Sequence, residues 1–362
     1  MTEIKELWVD RTDYRKTRHV QRTAPELRPG DVLVEIEKFA LTANNVTYAL
    51  SGDMIGYWKY YPAEETWGKV PVWGYGKVIA SRHGDVLEGE RVWGFFPMAS
   101  HVVMTPGKVK DRGWMDAAEH RQALPPLYNQ YARTAGEPDF LKTLEDERCL
   151  LFPLFVTSYV IYDFLKDNDF FGSDQVLIGS VSSKTGFGLA HLLHRDAGVA
   201  QEVVGLTSAR NIAFVESLNV CDSIVGYGEE DKLDVEKPAV FVDMSGDGPL
   251  IETLFNRLGS NLKFVSRVGA THWESTGFGM KPPEGLRSEF FFAPSQIGKR
   301  DSEWGPGVMM GKAYEASAEI AASIQNQLEI SRQSGPETVE RSWLEMLDNK
   351  VPPSTGLMLD MT

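Results

Sequence analysis

Residues 179–195 read GSVSSKTGFGLAHLLHR, and within them Ser182, Ser183, Lys184, Thr185 and Gly186 gather three hydroxyls, one ammonium and a glycine. At the start of a helix such a set suits an anion. The hydroxyls donate hydrogen bonds, the lysine supplies charge, and the helix N-terminus adds free N–H groups and the positive end of its dipole. An N-cap beside a solvated lysine would use the same residue types. The string is not a triphosphate-binding loop, because GxxxxGK[ST] is absent. Against the dinucleotide fingerprint GxGxxG, Gly186 takes the third glycine position, while Val181 and Ser183 stand in for the first two.

About 20 residues past such a turn, NAD enzymes place an Asp or Glu that accepts the ribose hydroxyls. Here the chain has Thr207, Ser208, Ala209, Arg210 and Asn211, without a carboxylate. A carboxylate would repel a 2′-phosphate, whereas the Ser208 hydroxyl, the Arg210 guanidinium and the Asn211 amide suit one. The expected cofactor is therefore NADP(H). A helix capped by Ser208 with an arginine in its first turn would read alike. His191 and His194 lie three apart on the helix after the turn and could share a metal, but no third ligand is evident. No metal is expected.

These residues need elements to hold them. Residues 31–106 are β-rich: DVLVEIEKFAL alternates, and GKVIAS, ERVWGFF and SHVVMTP are short strands set off by turns, which suggests a small barrel. Residues 109–148 read as a helical insertion. After residue 151 short apolar strands alternate with helices of 8 to 12 residues, the order of βαβ units in a doubly wound parallel sheet. Residues 311–349 look helical and end in LMLDM, a candidate last strand. The fold class is α/β, with a barrel domain at 1–150, a Rossmann domain at 151–295, and a helical segment at 296–362 that returns to the barrel.

At 362 residues the chain is long enough for two cores. A formal charge of −14 argues against a nucleic-acid partner. The two cysteines, Cys149 and Cys221, are far apart and form no framework. The N-terminus shows no signal-peptide core, and no apolar run reaches membrane length. A soluble cytoplasmic protein acting on a small molecule is the expectation.

Three stretches, LFVTSYVIYDFLKDNDFFGSDQVLIGSVSSKTGFGLAHLL, VVGLTSARN and VGYGEEDKLD, resemble the coenzyme domain of medium-chain dehydrogenase/reductases. PGDVLVEIEKFALTANNVTYALSGDM and EGERVWGFF resemble their GroES-like barrel. The likeness covers roughly 25–107 and 150–295 and is greatest to the zinc-free quinone oxidoreductase and enoyl reductase branch, of which the chain reads as a bacterial offshoot. Where zinc enzymes carry a GHE-type motif, PVWGYGKVIAS places Trp73, Gly74, Tyr75 and Gly76, and the β-rich stretch 31–106 lacks cysteine.

The resemblance implies NADPH-dependent, zinc-independent transfer of hydride to a quinone or an activated C=C bond. The Thr47-Tyr48 pair matches a Thr-Tyr pair of quinone oxidoreductases, which makes Tyr48 the expected proton donor, with Asn44 and Asn45 positioning the carboxamide or substrate oxygen. The family's Asn-x-x-Asp pattern is disturbed by Ala43 and Val46. Thr157 matches a segment leading toward the nicotinamide and Tyr227 a tyrosine near the 2′-phosphate. Ser245 and Gly246 end the fourth Rossmann strand, Gly269 and Ala270 the fifth. The aromatic run 57–67, with Tyr128 and Tyr131, reads either as a substrate wall or as packing on the barrel. An NADP(H)-binding sensor or regulatory protein that has lost turnover is the alternative. The stretch 288–294, SEFFFAP, resembles an edge strand that would pair in a homodimer.

Overall fold

The computed structural model describes residues 2–268 and 283–362. It divides into two compact units, residues 1–150 with 330–362, and residues 151–329.

The second unit is an α/β sandwich. Six strands lie in the order Ser223–Gly226, Glu202–Thr207, Gln175–Gly179, Ala239–Asp243, Leu262–Arg267 and Ser288–Phe290. All adjacent pairs run parallel. This is the Rossmann order 3-2-1-4-5-6, so the topology reverses direction beside Gln175–Gly179. The strands Gln175–Gly179 and Ala239–Asp243 are buried at every residue because helices cover both faces. Alternation still sorts their side chains. Val176, Ile178, Val240 and Val242 join the core on one face, while Leu177 and Phe241 join the core on the other.

Helix Lys184–Arg195 follows the first strand and packs on helix Phe152–Asp167. The contact is close at Gly188, where a Cβ would meet Phe155 and the Ser158 hydroxyl at 2.7 Å. The strand Ser288–Phe290 does lie at the sheet edge, but the chain enters helix Ala293–Trp304 directly after it.

The first unit is built on antiparallel pairing. A nine-stranded sheet runs Glu329–Ser334, Thr355–Asp360, Val32–Leu41, Pro71–Ser81, Arg91–Pro97, Gln130–Arg133, Gly113–Asp116, Pro106–Lys110, with His101–Met104 paired on Val32–Leu41. A small sheet joins Thr17–Thr23, Glu3–Asp10 and Trp67–Gly68. Its core includes Val32, Val34, Ile36, Phe39, Val78, Val92, Phe95 and Phe96, all shielded from solvent.

Two expectations are corrected. Residues 109–148 are not a helical insertion, because Gly113–Asp116 and Gln130–Arg133 extend the sheet and the helices there are short. Their strands are four residues each, too brief for alternation to register in the sequence. The tail is not one helical segment either. Helices Ala293–Trp304 and Val308–Ser323 pack on Phe152–Asp167 in the second unit. The strand Glu329–Ser334, the helix Pro336–Leu347 and the strand Thr355–Asp360 then form the part that belongs to the first unit.

Candidate functional site

The turn after Gln175–Gly179 carries the phosphate-binding candidates. Ser180 takes the left-handed conformation (φ 53°) that a glycine would adopt more easily, and its N–H donates to the Tyr227 hydroxyl at 2.7 Å. Val181 N–H donates to Leu206 O at 3.0 Å and ties the turn to the second strand. Ser183 caps the helix: its hydroxyl accepts the Gly186 N–H at 3.1 Å.

Gly186 is required by space. A Cβ there would sit 2.6 Å from Ser180 O and 2.8 Å from Val181 Cα, so only glycine lets the helix approach the turn this closely. Thr185 is half-buried, and its carbonyl accepts the Ser158 hydroxyl at 2.8 Å. Lys184, also half-buried, opens the helix; burial of its ammonium lowers it to about 8.

Ser182 links the turn to the second strand. Its hydroxyl, 4% exposed, accepts from Thr207 Oγ1 at 3.0 Å and from Asn211 Nδ2 at 3.1 Å. Both lone pairs are thereby used, so the Ser182 proton is left to donate. At the end of that strand Ser208 precedes the short turn Ala209–Asn211, with Arg210 exposed beside it. The Ser208 hydroxyl oxygen is buried and has no hydrogen-bond partner among the described residues. The structure thus brings Ser182, Ser183, Lys184, Thr185, Gly186, Ser208, Arg210, Asn211 and Tyr227 to one edge of the sheet, at the carboxyl ends of its first three strands.

Asp243, which sequence reasoning passed over, ends the fourth strand directly across from Gly179. Its Oδ1 accepts the Ser245 N–H at 2.9 Å, the Ser245 hydroxyl at 2.5 Å and the Gly246 N–H at 3.1 Å. The carboxyl is 1% exposed, and burial holds it above the usual carboxylate range. Ser245 is therefore engaged in shaping this turn. The signal was a lone acid closing the apolar run AVFVD. Thr157 donates its hydroxyl to Pro153 O at 3.0 Å within its own helix. Gly269 and Ala270 lie outside the described residues.

In the first unit, Tyr48 lies on helix Ala43–Leu50 and is 5% exposed. Its hydroxyl accepts the Trp73 indole N–H at 3.1 Å. Tyr57 lies against its ring at 4.5 Å, Phe95 edge-on at 5.4 Å and Tyr128 at 6.3 Å. Burial raises the phenol strongly and Tyr128 adds to this, while the Trp73 N–H bond and the nearby Asn44 amide act the other way. Asn44 thus stands at the hydroxyl. Asn45 does not, and its expected role in positioning a carboxamide or substrate oxygen is corrected. It is 3% exposed, its carbonyl oxygen accepts Thr42 N–H at 2.7 Å, and its amide donates to Pro71 O at 2.8 Å. Those bonds cap the helix and pin it to the next strand.

The aromatic run 57–67 is mostly interior. Tyr57, Trp58, Tyr60 and Tyr61 are buried, and the Tyr57 and Tyr128 hydroxyls pair at 2.8 Å. Tyr131 packs deeper: with Tyr61 it surrounds the buried Arg121, whose guanidinium lies 4.4 Å from the Tyr61 ring and pairs with Asp116. Trp73 is the functional candidate that sequence reasoning used merely to note a missing motif.

His191 is buried, and burial lowers it to about 4. Among the described residues no group of three or more His, Cys, Asp or Glu is arranged to hold a metal ion. No described helix is long and apolar enough to cross a membrane.

A family model described as "Protein of unknown function (DUF2855)" matches residues 39–352. No curated protein matches. Among solved structures, CurA from Vibrio vulnificus, crystallised with NADPH, is similar over 99% of both chains at 12% identity and a TM-score of 0.58. The quinone oxidoreductase of Coxiella burnetii is similar over 100% of both chains at 16% identity and 0.55. A mutant enoyl thioester reductase from Candida tropicalis matches over 99% of this chain and 100% of its own at 9% identity and 0.61. At such identities the likeness establishes the fold: a GroES-like domain with a Rossmann domain, shared with quinone oxidoreductases and enoyl reductases.

Proposed function

The chain belongs to the DUF2855 family, and on that premise we propose that it is an NADP(H)-dependent oxidoreductase that reduces a quinone or an activated C=C bond without zinc. One observation carries the reading. A helix N-terminus packed tightly through Gly186 stands beside a second strand that ends in Ser208, Arg210 and Asn211 instead of a carboxylate.

The residues fit the cofactor. Gly186 lets the helix N-terminus approach the turn closely, the Ser182 proton is free to donate, and the buried Ser208 oxygen lacks a partner among the described residues. Ser182, Ser183, Lys184 and Thr185 would hold the diphosphate, and Ser208 and Arg210 the 2′-phosphate. When bound, NADPH supplies a hydride. Tyr48 supplies the matching proton from its hydroxyl, and the phenolate left behind regains a proton from water. Asn44 orients that hydroxyl. The fold shared with a protein crystallised with NADPH and with a quinone oxidoreductase supports the same reading. A cytoplasmic homodimer, paired along the edge strand Ser288–Phe290, completes it.

Fluorescence titration with NADPH and NADH tests the cofactor half; binding of NADPH at least about tenfold tighter is expected, from the charge-assisted contacts to its extra phosphate. Equal affinities would sink it. The engagement of Asn45 within the fold favours a second reading, an NADP(H)-binding sensor without turnover. Oxidation of NADPH in the presence of quinones and conjugated enals separates the two.

A further inference from the structure

We infer that Trp73 is a positioning residue that sets the direction in which the Tyr48 hydroxyl gives up its proton, an inference that rests on Tyr48 being the proton donor of the proposed reaction. Trp73 comes from the strand Pro71–Ser81, and its indole nitrogen is 3.1 Å from the Tyr48 oxygen. An indole N–H donates and never accepts, so the phenol must accept here and turn its own proton elsewhere. The same bond strengthens as negative charge develops on the departing phenol oxygen.

Trp73 is itself held still. It stacks on Trp93 with ring centres 4.6 Å apart and an interplanar angle of 18°, and it touches Phe95 at 5.0 Å. The Arg148 guanidinium lies over the Trp93 ring at 4.2 Å, and Arg148 pairs with Glu137 at 2.6 Å. Contacts through Arg148, Trp93, Trp73 and Tyr48 therefore link a shielded ion pair to the hydroxyl.

The test uses the full chain with menadione and with an unbranched conjugated enal, following NADPH oxidation by Tyr48→Phe, Trp73→Phe, Trp73→His and the Tyr48→Phe/Trp73→Phe double variant. Trp73→Phe keeps a stacking ring and removes the N–H. It should lower kcat about tenfold while leaving the acceptor KM within about twofold. In the Tyr48→Phe background the same change should do nothing further, since no phenol remains to orient. Trp73→His, which retains a ring N–H, should recover part of the rate and also serves if Trp73→Phe does not fold. An undiminished kcat in Trp73→Phe, or an equal loss with and without the Tyr48 hydroxyl, overturns the inference and leaves Trp73 a packing residue. An undiminished kcat in Tyr48→Phe, or no turnover of either acceptor, overturns the Tyr48 reading beneath it.

Discussion

The hydroxyl oxygen of Tyr227 accepts the backbone N–H of Ser180 at 2.7 Å, so a residue beyond the third strand clamps the left-handed residue of the cofactor turn. Tyr227→Phe removes that acceptor and leaves a polar N–H unmatched beside an already unfavourable backbone conformation. The expected cost is about 1–3 kcal/mol of stability, with NADPH affinity falling too. Denaturant unfolding and NADPH titration of the variant measure the two effects.

Glycines at two helical sites should respond in opposite ways. Gly186→Ala pushes a methyl group against Ser180 O and Val181 Cα and should destabilise by about 1–3 kcal/mol while weakening NADPH. Gly298, exposed within helix Ala293–Trp304, has nothing within 4 Å of an added Cβ. Gly298→Ala should stabilise by about 0.5–1 kcal/mol. Chemical denaturation of both variants checks the pair, and a tolerated Gly186→Ala would contradict the close approach.

Cofactor choice is expected to reside at the end of the second strand. Arg210→Ala should weaken NADPH by about 2 kcal/mol, or some thirtyfold, and leave NADH nearly unchanged. Ser208→Asp should go further and favour NADH, because a carboxylate repels the extra phosphate. Equal losses for both cofactors would make Arg210 structural.

The pH dependence of binding follows from Lys184, which burial lowers to about 8. Protonated Lys184 attracts phosphate, so NADPH affinity should be full below pH 8 and decline as pH rises through it. Lys184→Gln should bind more weakly at neutral pH and lose that decline. Stability moves the other way. In the unfolded chain the lysine titrates near the ordinary 10.5, so between about 8 and 10.5 the unfolded state holds more protons, and this site's contribution to stability rises with pH. Binding isotherms and melting curves over that range test both signs.

The Rossmann half was legible because its strands are continuous apolar runs and its helices are long enough for their period to show. Val176, Leu177 and Ile178 announce a strand wherever they sit. Most barrel strands were legible too, down to the four residues His101–Met104, but Gly113–Asp116 and Gln130–Arg133 were not, since they owe their conformation to partners far along the chain. The same distinction governs the site. Gly186, Ser183 and Ser182 interact with neighbours within a turn or across one strand pair, so sequence spacing could group them. Asn45 was misjudged because its carbonyl caps its own helix while its amide reaches Pro71, a bond that no local pattern reveals. Trp73 and Tyr48 meet across 25 residues, and nothing in the spacing points to that contact.

The chain leaves its first unit at residue 150 and re-enters it at residue 330. The strand Thr355–Asp360, inserted between Glu329–Ser334 and Val32–Leu41, is therefore made only after the whole of residues 151–329. Residues 151–329 are contiguous and can complete their sheet while still tethered. During translation the strand that bears Leu41, one residue before the capped helix of Tyr48, must wait with an open edge. Order of manufacture thus lets residues 151–329 be completed first, while the unit that bears Tyr48 waits for its returning strand.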